Sequence, residues 1–217
     1  MSDSKEIYES ILTSFPDAIT PAVNIFLVLE NIRPAFQYDY FGNTLFSSRL
    51  EKHGSHFSPI GNIIDRGPLD LAMALSANKL KIIDKEEPIV ILKSNIHKLN
   101  KCSTMGELLG YQYTNNDWSD ALGDSSWFFG YSLNNNCKLF SDCKDVIMNQ
   151  YAKYIVYGYI IPKNKYTKKI SDNLHSDLNK INKSLETISL EVYPFFITLG
   201  DIYIKDGALF GIPLIDF

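Results

Sequence analysis

The chain has 217 residues, of which 45% are hydrophobic and 21% are charged, and its formal net charge is −4. A chain of this size and composition buries enough surface to be stable without a metal or disulfides, which argues against global disorder. Arginine is scarce, because the basic residues are lysines apart from Arg33, Arg49 and Arg66. The acidic balance and the lack of arginine argue against nucleic acid as a partner.

The N-terminus and the cysteines indicate the compartment. The opening stretch MSDSKEIYES is polar and acidic, unlike a secretory signal, and no apolar run approaches the ~20 residues that span a bilayer. Cys102, Cys137 and Cys143 lack the spacing of a zinc site, and the four histidines are scattered. We therefore expect a soluble, cytoplasmic protein with reduced thiols, no membrane association and no cofactor.

The first half of the chain alternates between predicted helices and strands. Apolar residues spaced by three and four favour helices, whereas alternation or short apolar runs favour strands. In chain order we predict a helix that Ser4 caps and that ends before Pro16, a helix from Pro21 or else a buried strand at 21–32, a half-buried strand at 34–41, a loop at 53–67, a helix at 68–80, a strand at 88–94 and a helix at 105–109 that stops at Gly110.

Strands dominate after residue 127. We predict a polar surface excursion at 111–126, a strand at 127–133, a helix at 141–153, a strand at 154–161 with a bulge or close backbone approach at Gly158, a one-sided helix at 171–188 capped by Ser171, and consecutive strands at 189–214 with Pro194 at an edge or bulge and a hairpin turn at 205–207. No linker separates two halves. The order predicts a single α+β domain over residues 1–217, with a mixed, mainly antiparallel sheet and several helices, although an α/β arrangement stays open.

Reactive residue types are present but scattered along the chain. Ser125 follows Gly123 and Asp124, but here a polar loop precedes a strand, whereas a nucleophile elbow leads from a strand into a helix. We interpret Asp124 and Ser125 as turn residues. An enzyme, such as a hydrolase or transferase, would need a site assembled from distant residues. The candidates for that site are Ser125, His53 or His56, Cys102 and Asp65.

Two other segments carry binding hypotheses. The lysine-rich segment 163–169 surrounds Tyr166, a pattern that could contact single-stranded nucleic acid, but the acidic chain favours a solvated loop leading into the next helix. Its lysines are Lys163, Lys165, Lys168 and Lys169. An aromatic pocket near Tyr157 and Tyr159 would suit a small-ligand sensor, so a small molecule is not excluded as a partner.

The segment at 111–124 combines aromatic rings with negative charge. Tyrosine and tryptophan dominate the energetics of protein interfaces, and acidic groups speed the capture of a basic partner. Trp118 could instead fold back over the core, since tryptophan is usually largely buried. The candidate binding residues are Tyr111, Tyr113, Asp117, Trp118, Asp120 and Asp124. We therefore predict a non-enzymatic binding protein, of the inhibitor or immunity type, that neutralises a basic protein through this acidic, aromatic surface.

Overall fold

The computed structural model of the chain describes residues 3–38, 66–83, 88–102, 105–110, 126–133, 155–198, 203–205 and 208–210. These residues form helices and small antiparallel sheets, so the fold is α+β, as predicted. The chain divides into two compact units, each assembled from separated stretches of sequence. The first comprises 1–39, 64–114 and 179–190, and the second comprises 40–63, 115–178 and 191–217. The prediction of a single domain stays a prediction.

The first unit begins with helix α1, Ser4–Ser14. Its N-cap is Asp3, one residue before the predicted cap, and the Asp3 backbone N–H donates to the Glu6 carboxylate (3.2 Å) as in a capping box. The Ser4 hydroxyl instead donates to the carboxylate of Glu30, which ties the start of α1 to the end of the next helix. The buried side chains of α1 follow the predicted helical spacing: Ser4, Ile7, Tyr8 and Ile11.

Helix α2, Ile19–Leu29, resolves the apolar run at 21–32 in favour of a helix. Nine successive residues, 20–28, are buried, so α2 has no polar face along this stretch. The helix begins two residues before the predicted start at Pro21. Proline is tolerated at this third helical position because the N–H groups of the first turn have no partner inside the helix.

A three-stranded antiparallel sheet belongs to the same unit: β1 (Ala35–Gln37), β2 (Leu80–Ile82) and β3 (Ile89–Leu92), in the order β1-β3-β2. The predicted strand at 88–94 is confirmed as β3, whose four residues are all buried. Strand β3 pairs with β1 on one side and with β2 on the other. The predicted strand at 34–41 is confirmed over 35–37. Tyr38 continues it by one hydrogen bond, from its backbone N–H to the carbonyl of Pro88 (2.6 Å).

Helix α3, Gly67–Leu75, is shorter than the sequence predicts. The predicted helix ran to residue 80, but Ala77 (φ 49°) and Asn78 (φ 66°) adopt the left-handed backbone conformation, which cannot continue a right-handed helix. Leu80 then pairs with Leu92 of β3, so the end of the predicted helix is a strand. Pairing with a distant segment overrides the helical preference of this stretch.

Helix α4, Met105–Leu108, confirms the predicted short helix before Gly110. Gly110 has a φ of 82°, the left-handed conformation in which helices often end and which glycine adopts without strain. A Cβ atom at this position would lie 3.0 Å from Cδ and 3.2 Å from Cγ of Pro34. Both the backbone conformation and the close proline ring therefore require glycine.

In the second unit, a three-stranded antiparallel sheet has β4 (Ser126–Leu133) at its centre, between β5 (Ile155–Pro162) and β6 (Val192–Thr198). These strands confirm the predictions at 127–133 and 154–161. Pro194 lies on β6, at the edge of this sheet, as expected of a residue without an N–H. Gly158 pairs in register with Gly130, and the bulge that its presence suggested falls instead at 155–157, opposite Tyr131 and Ser132.

Helix α5, Lys168–Leu185, is followed by one 3₁₀ turn, Glu186–Ile188. The apolar stripe predicted for this helix is confirmed, since Leu174, Ile181 and Leu185 are buried. The predicted cap Ser171 is wrong by four residues, because the hydroxyl of Thr167 accepts the backbone N–H of Ile170 (3.3 Å). Among the described residues, no helix has both the length and the apolar character needed to span a bilayer.

The last described elements are β7 (Tyr203–Lys205) and β8 (Ala208–Phe210), which pair antiparallel with Lys205 opposite Ala208. This register leaves two residues between the paired ends, as the predicted hairpin turn requires. The predicted helix at 141–153, residues 111–125 of the polar excursion and residues 53–65 of the predicted loop lie outside the described residues.

Tyr131 anchors α5 in the second unit. Its side chain is buried, its ring meets Phe129 edge-on at 5.0 Å between centroids, and its hydroxyl donates to the carbonyl of Leu174 (3.0 Å). Burial, with a smaller contribution from the negative charge of Asp177, raises the pKa of Tyr131 above its ordinary value of 10.0. The folded protein therefore holds this proton at a pH at which the unfolded chain has lost it.

Gly110→Ala should lower the free energy of unfolding by about 1–3 kcal/mol, because alanine is strained at positive φ and its methyl group would press on Pro34. Gly106→Ala is the matched control, since Gly106 lies within α4, where alanine should be neutral or stabilising by up to about 1 kcal/mol. Urea unfolding followed by circular dichroism measures both. Equal effects of the two substitutions would contradict the left-handed conformation at Gly110.

Tyr131→Phe should lower the free energy of unfolding by about 1 kcal/mol at pH 7, because it removes the hydroxyl that donates to the carbonyl of Leu174. Above pH of about 10, the wild type should lose stability by up to about 1.4 kcal/mol per pH unit through Tyr131, and the variant should lack this component. The gap between the two proteins should therefore narrow as pH rises, and stay constant from pH 7 to 9. Urea midpoints across pH 7–11 measure the gap, and a constant gap throughout would refute the role assigned to burial.

Candidate functional site

The six residues predicted to form the binding surface lie outside the described residues: Tyr111, Tyr113, Asp117, Trp118, Asp120 and Asp124. Their role therefore stays a prediction. The sequence places three aspartates and no lysine, arginine or histidine between residues 111 and 125. We call these fifteen residues the acidic segment. The structure describes the two elements that flank the acidic segment, helix α4 before it and strand β4 after it.

The N-terminal side of the acidic segment is held in the core of the first unit. Leu108 and Leu109 are buried, and they pack in one apolar cluster with Ala35, Ile89 and Ile91 of the first sheet. Gly110 follows in its left-handed conformation against Pro34. Only Gly110 thus separates the acidic segment from the buried side chain of Leu109.

The C-terminal side of the acidic segment is also held. Ser126 begins β4, the central strand of the second sheet, which pairs along seven positions with β6 and along seven with β5. From Phe129 to Leu133 every residue of β4 is buried. Each end of the acidic segment therefore adjoins a core element of its own unit.

The predicted catalytic candidates are not brought together among the described residues. Cys102 is the member of that group that the structure describes, and it is partly buried against the apolar cluster that contains Leu108 and Leu109. This packing is typical of a structural cysteine rather than a nucleophile. Ser125, His53, His56 and Asp65 lie outside the described residues, so an enzymatic site built from them stays a hypothesis.

The described histidines bond to nearby backbone. Nδ1 of His97 lies 2.8 Å from the carbonyl of Ser94, and Nδ1 of His175 lies 2.9 Å from the carbonyl of Ser171. Within the described part of the chain, no group of three or more histidine, cysteine or acidic side chains is close enough to hold a metal ion. The prediction of no metal concerns the remaining residues as well and stays a prediction.

The aromatic pair proposed for a ligand pocket lies on β5. Tyr157 is opposite Tyr131 and Tyr159 is opposite Phe129 in the register of the sheet. The backbone of this pair thus lies on an edge strand of the sheet, next to the buried residues of the central strand β4. The pocket itself is not tested by this placement.

A buried polar group that sequence reasoning missed is centred on Arg33. The Arg33 side chain is only 6% exposed, and its guanidinium donates to the side-chain carbonyl of Asn24. Asn24 in turn donates to the backbone carbonyl of Thr20 (3.0 Å), and the guanidinium carbon lies 5.6 Å from the ring centre of Phe36. A buried charge needs such partners to offset the loss of water.

The signal for this group was present in the sequence. Asn24 interrupts the apolar run of α2, and Arg33 is one of only three arginines. A polar residue inside a wholly buried helix must find a partner, and a nearby arginine is a suitable donor. The arrangement links helix α2 to strand β1 and is therefore a structural element of the first unit rather than an exposed site.

The lysine-rich segment 163–169 is described in full. Lys163–Lys165 form a 3₁₀ turn directly after β5, Tyr166 and Thr167 have no regular structure, and α5 begins at Lys168. The segment thus connects β5 to the helix, as the sequence predicted, but its last two lysines are already helical. Lys165, Lys168 and Lys169 are exposed, whereas Tyr166 is half-buried.

Comparison with known proteins adds no functional information. No protein-family model matches the chain, and searches of curated proteins and of solved structures find no similar protein.

Asn24→Ala should lower the free energy of unfolding by about 2–3 kcal/mol, because it removes an acceptor from a buried guanidinium. Asn173→Ala is the matched control, since Asn173 is exposed on α5 and alanine is the better helix former there, by up to about 0.7 kcal/mol. Urea denaturation of both variants measures the difference. A loss below 0.5 kcal/mol for Asn24→Ala would show that the buried contact has little energetic weight.

Proposed function

We propose that the protein is a non-enzymatic binding protein that captures a basic partner protein through the acidic segment. The observation that carries the proposal is the composition of residues 111–125, which combine three aspartates, Trp118 and two tyrosines without a single basic residue. Aromatic side chains provide anchors that bury large areas, and the aspartates attract and orient a positively charged surface.

The anchoring of the acidic segment supports the proposal. Binding is weakened when a flexible segment must be ordered, since each immobilised side chain costs roughly 0.5–1.5 kcal/mol. The segment is preceded by buried Leu108 and Leu109 of the first unit and followed by β4, the central strand of the second sheet, so each end adjoins a core element. Neither flanking element has to be ordered on binding.

An inhibitor or immunity role fits this chemistry. Small basic enzymes that act on nucleic acids present cationic grooves, and an acidic, aromatic segment is complementary to such a groove in charge. The net charge of −4 adds a long-range attraction toward the same class of partner. A cytoplasmic location would follow from the predicted reduced thiols.

The alternatives proposed from the sequence are an enzyme and a small-ligand sensor. Cys102 packs against apolar side chains, which favours a structural role for that residue but leaves Ser125, His53 and His56 as candidates. Labelling with serine- and thiol-directed probes addresses the enzyme, and stabilisation by a ligand in a thermal-shift screen addresses the sensor. Stoichiometric labelling of one residue, lost on denaturation, would displace the binding proposal.

The binding proposal is tested by titrating the full chain with a panel of small basic nucleases and recording association by surface plasmon resonance. Replacing Asp117, Asp120 and Asp124 together by Asn should slow association about tenfold at 50 mM salt and much less at 500 mM, because screening removes the attraction. Trp118→Ala should weaken binding about 30-fold or more, as for an interface anchor worth about 2 kcal/mol.

The matched control is the triple variant Glu9→Gln, Asp17→Asn and Glu186→Gln, which changes the net charge equally at exposed positions elsewhere. It should retain most of the association rate. If both triple variants slow association to the same degree, only the net charge matters and the acidic segment is not the binding surface. Salt-insensitive binding, or no binding by any basic protein, would count against the proposal as a whole.

A further inference from the structure

The second unit also carries a positively charged surface, opposite in sign to the acidic segment. We call it the lysine patch and define it by Lys163, Lys165, Lys168 and Lys169. Between residues 163 and 172 the chain carries four lysines and one acidic residue, Asp172, which gives +3. Since the whole chain carries −4, the rest of it carries −7. Positive charge is thus concentrated in a short stretch of an otherwise acidic protein.

The lysine patch is placed against the local electrostatic preference of its helix. Lys168 and Lys169 are the first two residues of α5, and this first turn contains no acidic residue. Helix N-termini favour negative charge, so two lysines here destabilise the helix, and Lys163 and Lys165 add repulsion of like charges. Sequences that sacrifice local stability in this way commonly do so at functional sites.

The ion pair between Lys168 and Asp172 does not neutralise the patch. The ammonium lies 2.9 Å from both carboxylate oxygens, but the two side chains are 87% and 60% exposed. Exposed pairs of this kind contribute little and exchange readily with other partners. Lys165 and Lys169 are also exposed, so three ammonium groups are accessible on regular secondary structure.

Local charge, rather than net charge, decides what binds here. At physiological salt the field of an exposed charge is screened within about 8 Å, so a ligand at the patch is influenced mainly by the lysines themselves. The acidic net charge, which argues against nucleic acid for the chain as a whole, therefore acts only weakly on a phosphate group at this surface.

Composition distinguishes between the classes of anionic partner. Protein interfaces are depleted in lysine and enriched in arginine, whereas the patch has lysine alone. An anionic membrane would also attract lysines, but stable attachment draws on apolar side chains as well, and the exposed neighbours here are polar, namely Asn164, Thr167 and Asn173. Phosphodiester backbones are contacted by lysine together with hydroxyl and amide groups, which is the composition found here.

We propose that the lysine patch binds the phosphate backbone of a nucleic acid without reading its sequence. Lysines supply point charges to the phosphates, and Asn164 and Asn173 supply amide donors beside them. This interaction is separate from the capture of a basic protein by the acidic segment and does not depend on it.

The experiment is fluorescence anisotropy of the full chain with a labelled thymidine oligonucleotide of about 20 nucleotides, and with a duplex of the same length. For contacts of the three exposed lysines, Lys165, Lys168 and Lys169, with phosphates of the single strand, the plot of log K against log salt should have a slope near −2, so affinity should fall about tenfold between 50 and 150 mM salt. The double variant Lys165→Gln with Lys169→Gln should make this slope less steep by about 1.4, because each lost contact on a single strand contributes about 0.7.

The matched control is Lys81→Gln with Lys93→Gln, at two exposed lysines of the first unit, which should leave the slope unchanged. Equal effects of the two double variants would overturn the proposal. So would the absence of binding at 50 mM salt, or binding to vesicles rich in phosphatidylserine without binding to either oligonucleotide. The acidic-segment triple variant should keep oligonucleotide binding, which separates this result from the test of the proposed function.

A stability measurement distinguishes a binding surface from an ordinary solvated one. Lys169→Glu places a favoured charge in the first turn of α5 and should raise Tm by about 1–3 °C. If the patch binds phosphate, the same substitution should weaken oligonucleotide binding about as much as Lys165→Gln with Lys169→Gln does, since both lower the charge of the patch by two. A higher Tm with unchanged oligonucleotide affinity would refute the proposal.

Discussion

The burial of α2 along residues 20–28 is the constraint on which the rest of the first unit depends. A helix without a solvent-facing side gains hydrophobic stabilisation from its apolar residues, but any polar atom on it must find its partner inside the protein. The Asn24 side chain meets this need by donating to the carbonyl of Thr20 and accepting from Arg33. Because Arg33 also lies over Phe36, this contact positions strand β1 relative to α2. Strand β1 belongs to the sheet against which Leu108 and Leu109 pack.

The backbone after α2 reinforces this position. Asn31 turns the chain through a left-handed conformation, and its side chain accepts a hydrogen bond from Asn95 (2.8 Å), sixty-four residues away. The N–H groups of Ile32 and Arg33 both donate to the carbonyl of Leu27. This hydrogen-bonded turn therefore places the Arg33 guanidinium next to Asn24. Less conformational entropy is then lost when the long side chain is ordered.

How far the sequence predicts this fold depends on the range of the interactions. Short apolar runs identified β3, β4 and β5 correctly, because strand-forming apolar and aromatic residues leave a local composition signature. Helix boundaries were less accurate: Thr167 rather than Ser171 caps α5, and α2 begins before Pro21. Several polar residues near a helix start can cap it, and packing decides among them. Leu80, the first residue of β2, was predicted as the end of a helix, since its strand character comes only from pairing with β3.

The candidate binding residues depend on sequence to different degrees. The charge of the acidic segment and of the lysine patch is visible in the sequence, but the exposure of the lysines and the regular backbone that carries them required the structure. The Arg33 group illustrates the opposite case, because its components are ordinary in the sequence and become informative only when Asn24 is seen to be buried beside a charge. Pairing of distant residues has no local signature, and burial changes the meaning of a polar side chain completely.

Because the chain carries an acidic segment and a lysine patch, the salt dependence of binding alone does not tell which of the two a partner contacts. Both interactions weaken as salt rises, since screening acts on attraction of either kind. The sign of the partner and the location of the effective substitution separate them. A basic partner should be sensitive to the aspartates of the acidic segment, and a phosphate backbone should be sensitive to Lys165 and Lys169. A protein in which net charge alone governed binding could not show both patterns, because neutralising aspartates would then strengthen binding to nucleic acid as strongly as it weakened binding to the basic partner. Opposite effects confined to their own surfaces would therefore establish that charge acts locally in this molecule.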